Sequence, residues 1–189
     1  MDIVKSSSSH PYDLIAWSFR FYGHNFLLLL GLMLVAALGR AFQMGAAGEI
    51  SSGEYILLEI AVELSRVLLL ILVIGEGNIK KGFQRCRRVF TMKKAEQTAS
   101  WNTIVRNFKA YWPSLLWNAI LFGILAFLTN YCIDWVANNQ HVLAGLKEQH
   151  VLAASASANP VVFFLKNLTV IPFTIIFECG IFLRLLGKI

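Results

Sequence analysis

The chain has 189 residues, 57% of them hydrophobic and 15% charged, against about 45–50% and about 25% in an ordinary soluble domain. A single domain of this length has no second core in which to hide that excess, so composition excludes a small soluble ligand-binding domain and points to a bilayer. The net charge of +6 is concentrated in mid-chain between apolar stretches, which argues for a topological role and against a nucleic-acid surface.

Crossing about 30 Å of hydrocarbon takes roughly 20 mainly apolar residues. In chain order, a leader comes first. Its segment 12–26, YDLIAWSFRFYGHNF, repeats apolar and aromatic residues at intervals of three and four, which predicts an amphipathic helix on the inner leaflet with Arg20 reaching the headgroups. Residues 26–47 form the first predicted span. It follows a long, weakly basic leader, so a retained anchor is expected rather than a cleaved signal peptide. Residues 55–75 form the second span.

The middle segment 78–112 reads as a basic cytoplasmic loop. It holds Lys80, Lys81, Arg85, Arg87, Arg88, Lys93, Lys94, Arg106 and Lys109, opposed only by Glu96. Its second part, 99–112, again has the pattern of an interfacial helix. The third span is expected at 113–135, with Pro113 in the first turn, where a missing N–H would have had no partner. A long outer connection follows, in which QHVLAGLKEQHVLAA suits a short interfacial helix. The last span is expected at 160–186, with Asn159-Pro160 as cap and start and a kink at Pro172.

Lysine and arginine counts set the orientation. The leader has Lys5 and Arg20, the tail has Arg184 and Lys188, the first outer connection has none and the second only Lys147. Both termini and the basic segment are therefore expected on the cytoplasmic side of a bacterial plasma membrane. The expected fold is all-α: a polytopic membrane helical bundle of about four transmembrane helices plus interfacial helices. A constant offset of 89 pairs Phe19 with Phe108, Arg20 with Lys109 and Tyr22 with Tyr111. That suggests a single membrane domain, 1–189, built from half-repeats 10–77 and 99–189, parallel and related by an axis along the membrane normal.

The stretches SFRFYGHNFLLLLGLMLVAAL, IGEGNIKKGFQRCRRVF, IVRNFKAYWPSLL and FLRLLGK together resemble a loose group of prokaryotic polytopic membrane domains, some of them fused to glycerophosphodiester phosphodiesterases. The resemblance implies an architecture and no reaction, since no phosphodiesterase domain is present here.

Ionisable residues inside apolar spans are the informative exceptions. Arg40, Glu59, Glu63, Arg66 and Lys166 form a predicted polar belt in the outer half of the bilayer. Glu59, Glu63 and Arg66 are spaced by four and three and share one helix face. That face cannot point at lipid, because a charge at the centre of a span costs about 2.5–3.5 kcal/mol on insertion scales. Arg40 is expected to pair with Glu59 or Glu63 from the adjacent antiparallel span. The belt is read either as structural salt bridges, with Lys166 snorkelling outward, or as the lining of a wet path or gate. Glu76 and Glu178 are expected nearer the inner face, within reach of Arg184 or the basic segment.

Other signals are weak. Cys86, Cys132 and Cys179 are widely spaced and suggest neither a disulfide framework nor a metal site. His10, His24, His141 and His150 share no metal spacing, no cofactor is implied, and Asn167-Leu168-Thr169 is a chance glycosylation match inside a span. No nucleophile, base and orienting group recur at usable spacing, so an enzyme is not expected. Two function classes remain. One is a membrane subunit or scaffold that docks anionic lipid or a cytoplasmic partner through Lys80, Lys81, Arg85, Arg87, Arg88, Lys93 and Lys94. The other is a homo-oligomeric channel, sensor or membrane-perturbing effector built around the belt.

Overall fold

The computed structural model describes residues 12–189, and within them the chain is all-helical, with no strand. Helix α1 is Asp13–His24, α2 Phe26–Gln43, α3 Ser52–Ile74, α4 Ile79–Thr91, α5 Lys94–Ala137, α6 Gln140–Glu148, α7 Asn159–Leu168 and α8 Val170–Leu185. Three stretches are long and apolar enough to cross a membrane: α2, part of α5, and α7 with α8 taken together. This fits a membrane protein. Helix α3 is also 23 residues long, but Glu59, Glu63 and Arg66 fall within every 18-residue window of it.

The bundle is organised around α2, which packs against both α3 and α7, while α8 touches α1, α3 and α5. Its main core joins Phe21, Leu29, Met33, Leu69, Leu72, Val73, Ile176 and Cys179. Gly39 allows α2 and α3 to approach closely, since a Cβ there would stand 2.6 Å from the Val62 side chain. Ser51 caps α3 by accepting from the Glu54 N–H, and the Glu54 carboxylate in turn accepts from the Ser51 N–H.

Several expectations change. Helix α1 does more than lie on a surface: it buries Leu14, Ile15, Ser18 and Phe21 against its neighbours. The fully buried Asn118 of α5 accepts from the Ile15 N–H at 3.1 Å and so ties the two helices together. The first part of segment 78–112, expected as a loop, is the helix α4, while the stretch 99–112 is helical as expected, with a break only around Met92 and Lys93. Pro113 does not start a helix. It lies inside the 44-residue α5, which joins the expected interfacial stretch 99–112 to the span without a break. Proline inside a helix costs about 3 kcal/mol, yet α5 runs through it.

Asn159 is the first residue of α7 and not its cap, which is Ala158. The expected disruption at Pro172 takes the form of a break at Thr169, with φ −126° and ψ −76°, that separates α7 from α8. Proline clashes with the carbonyl four residues earlier, here that of Leu168, so the chain yields next to it. In the connection between α5 and α7, α6 is followed by a fold back onto the end of α2: Leu152 and Ala156 pack on Ala41 and Ala46, and the Ala153 N–H donates to the Ala46 carbonyl at 2.7 Å.

Helix α4 is locked to the end of α3. A Cβ on Gly82 would collide with the Ile71 carbonyl oxygen, and one on Gly75 with that of Asn78, so two backbones meet where only glycine fits. Gly82→Ala is expected to lower thermal stability in detergent by about 1–3 kcal/mol, as overpacking does, and to expose α4 to protease. Gly123→Ala, which meets nothing within 4 Å, serves as the control and is expected to leave both unchanged.

Candidate functional site

Two charged sites lie at opposite ends of the α2–α3 pair. The first is the belt. From the last turn of α2, Arg40 donates to both carboxylate oxygens of Glu59 at 2.6 and 3.0 Å and to Glu63 at 2.9 Å. The paired N–H groups of a guanidinium match the two oxygens of a carboxylate, which lysine could not do. Arg66 donates to Glu63 at 2.7 Å, one turn along the same helix, and to the Asn167 side chain at 2.9 Å. Gln43 donates to Glu59 and to the Tyr55 carbonyl and accepts from Arg40. Two cations, two carboxylates and two amides thus form one connected network across α2, α3 and α7.

Burial differs across this network. The Arg40 side chain is 15% exposed, whereas that of Glu63 is 49% exposed. Lys166 does not join: it lies 3.6 Å from Asp134 near the end of α5. Its direction from α7 is decided by its neighbour, because the buried Asn167 takes the inward position and holds the Phe163 carbonyl with its own N–H. The sequence marks Asn167 only as part of a chance glycosylation match and gives Gln43 no role. The signal for Gln43 is its position three residues after Arg40, on the same helix face.

The second site is the basic end. Here α3 finishes with a hydrogen-bonded wrap in which the Glu76 N–H donates to Val73 and the Gly77 N–H to Leu72. The first residue past such an end is left-handed and usually glycine, yet here it is Glu76, at φ 54°. A side chain in that region costs about 1–2 kcal/mol. The Glu76 carboxylate bridges to α4, meeting Arg85 at 2.6 Å and Lys81 at 3.2 Å. Arg85 also donates to the Ile74 carbonyl at 2.6 Å. Partial burial works against the charged form of Glu76, but the hydrogen bonds from Arg85 and Lys81 and their charges prevail and hold its carboxyl below the ordinary 4.5.

The Asn78 side chain caps α4 by accepting from the Lys81 N–H at 3.0 Å. Gly82 faces the protein. On another flank Ile79, Phe83 and Phe90 stand exposed, Phe90 at 88%, beside exposed Lys80 and Arg87. Of the remaining cations predicted to dock a ligand, Arg88 is exposed on α4, Lys93 immediately precedes α5 without a capping hydrogen bond from its side chain, and Lys94 is the first residue of α5. Arg184 does not reach Glu178. It lies 3.8 Å from Asp13 and sits over the Tyr111 ring at 5.3 Å, and Glu178 has no ion pair among the described residues.

No group of histidine, cysteine and carboxylate suited to a metal ion occurs among the described residues, while His10 and Lys5 lie outside them. Comparison of the chain with models of protein families, with curated proteins and with solved structures found no match.

At the belt, Arg40→Leu is expected to lower the melting temperature in detergent more than Glu59→Gln or Glu63→Gln, because it leaves Glu59 with no cation and Glu63 with Arg66 alone. The double variant Arg40→Leu/Glu59→Leu is expected to recover at least half of that loss, and a double variant as unstable as Arg40→Leu alone would show that no pairing energy links the two. At the basic end, the depressed Glu76 carboxyl stabilises the α3–α4 joint above about pH 4.5 and ceases to do so as pH falls through its lower folded value. Hydrogen exchange in α4 is therefore expected to speed up relative to that of α3 as pH falls through that lowered value, and Glu76→Gln to abolish this acid-dependent change in the α4-to-α3 ratio.

Proposed function

We propose that the chain is a non-enzymatic membrane scaffold that grips the anionic inner leaflet through α4. On this reading α3 is a fourth span: 23 residues rise about 34 Å, and its charges are tolerated because the belt pairs them. Four crossings place both termini and the basic end on one side, the cytoplasmic side of a bacterial plasma membrane, where lysine and arginine collect. The two-fold repeat belongs to the same reading, with α1, α2 and α3 answering to the two parts of α5 and to α7 with α8. The halves differ in one respect, since a break at Asn25 separates α1 from α2 whereas α5 is continuous.

The observation that carries the proposal is the outer surface of α4. Ile79, Phe83 and Phe90 are exposed on one stripe, a poor surface to leave in water but a suitable one to bury at the boundary between headgroups and acyl chains. Lys80 and Arg87 flank the stripe, and each basic residue near an anionic surface contributes about 1 kcal/mol. The α3–α4 joint holds the helix at that level.

A second reading has its own support. Glu63 is half exposed although two arginines hold it, and Ile56, Ile60, Leu64 and Val67 of the same helix are exposed as well. A homo-oligomer with α3 facing a central axis would cover this face and place the belt along a channel, sensor or gate. Native mass spectrometry of the mildly solubilised protein tests this: a closed ring whose subunit number changes with Glu63→Gln and not with Glu49→Gln favours it, and a monomer excludes it.

The primary reading is tested by labelling. With the three native cysteines replaced by serine, Phe90→Cys in phosphatidylglycerol vesicles is expected to react with a water-soluble maleimide at least about fivefold more slowly than in phosphatidylcholine vesicles, a margin two basic residues supply. Lys80→Gln/Arg87→Gln is expected to remove the difference. Equal rates in the two lipids would sink the proposal.

A further inference from the structure

Inward of the exposed stripe, α4 leaves a cleft against the ends of its neighbours. The opening has a volume of about 410 Å³ and lies between the last turn of α3, the inner face of α4, the first turns of α5 and the end of α8. Sites for small molecules occupy about 300–1,000 Å³, so the space is large enough to hold a headgroup. Its lining has two characters. Ile74, Val89, Phe182 and Leu186 make apolar walls at the ends of α3, α4 and α8, while Arg85, Arg88 and Lys188 supply charge.

The cations are not equivalent. Arg85 is neutralised by Glu76 and committed to the Ile74 carbonyl. Neither Arg88 nor Lys188 has an ion-pair partner among the described residues, and no carboxylate lines the cleft. Lys188 is held in place by its backbone, whose N–H donates to the Leu183 carbonyl at 2.9 Å just past the left-handed Gly187. Two uncompensated cations beside an apolar wall suit an anionic amphiphile. Inorganic phosphate would use the cations and leave the wall in water, and a neutral lipid would do the reverse.

The geometry points to a site for one anionic phospholipid, its phosphate between Arg88 and Lys188 and its chains leaving along Ile74 and Phe182. The site rests on the proposed placement of α4 at the inner leaflet and adds to it. Lys80, Arg87 and Phe90 meet the leaflet as a surface, whereas the cleft retains a single molecule. It would fill the gap between α4 and the end of α8 and join the basic helix to the bundle beside the Arg85–Glu76 pair.

The test is native mass spectrometry of the full chain reconstituted with equal amounts of phosphatidylglycerol and phosphatidylcholine and then stripped stepwise with detergent. One phosphatidylglycerol is expected to survive washing that removes all phosphatidylcholine. Arg88→Gln/Lys188→Gln is expected to lower its retention at least about tenfold, the scale on which two charge-assisted contacts are felt. Ser100→Trp, which fills the cleft and keeps every charge, is expected to do the same, and unchanged melting in lipid-free detergent shows that each variant folds. Lys80→Gln/Arg87→Gln is expected to keep the bound molecule.

Equal retention of the two lipids, or retention untouched by Arg88→Gln/Lys188→Gln and Ser100→Trp, would overturn the site, as would inorganic phosphate displacing the lipid at millimolar concentration. The leaflet reading fails separately, through the maleimide rates at Phe90. Charge-independent labelling with a retained phosphatidylglycerol would remove that reading and leave the cleft.

Discussion

An arginine placed in an apolar helix must find its counter-charge inside the protein, and much of the arrangement of α2, α3 and α7 follows from that demand. Arg40 meets Glu59 through both oxygens and Glu63 through one, so α2 and α3 can slide or rotate against each other only by breaking several charge-assisted hydrogen bonds at once. Arg66 extends the constraint to α7 through Asn167. Hydrophobic contacts among Leu29, Met33, Leu69 and Leu72 are less directional and would tolerate several registers. The polar network selects one of them. Whether such networks add net stability is a separate matter, since well-packed apolar residues often do as well.

The apolar crossings were legible because hydropathy over some 20 residues depends little on tertiary context. The pairing of Arg40 was legible from depth alone, as two antiparallel neighbours bring residues near their shared connection to the same level. Asn167 escaped because a polar residue inside a span was set aside as a chance motif, although any amide in that setting needs a partner. Lys166 was assigned to the belt on depth, but depth does not say which side of α7 a residue occupies, and Asn167 takes the inner side. The middle segment was read by its charge count, which hid the period. Ile79, Phe83, Cys86 and Phe90 recur at four, three and four residues, a helical stripe written between the basic residues. Pro113 marks a boundary on propensity alone, yet α5 runs through it.

The basic end shows how a locally unfavourable residue serves a longer-range contact. Glycine at position 76 would relax the backbone, as Gly77 does next to it with φ 89°. It would also remove the carboxylate that collects Arg85 and Lys81. The turn accepts strain so that α4 leaves α3 in one direction, and glycines at 75 and 82 let the two helices touch backbone to backbone. A flexible basic loop would present the same charges with no fixed relation to Ile79, Phe83 and Phe90. The joint makes charge and apolar surface parts of a single rigid face.

Helix α5 has 44 residues, which at 1.5 Å each makes a rod about 66 Å long, more than twice the thickness of the hydrocarbon layer of about 30 Å. Its first turns border α4 and the cleft, its middle binds α1 through Asn118, and its last turn carries Asp134 beside Lys166. Tilting such a rod about one end by a single degree moves the other by about 1 Å. A lever of that length gives the two ends of the molecule a common mechanical coordinate, so that a displacement at the basic end need not pass through the belt to be felt at the far one.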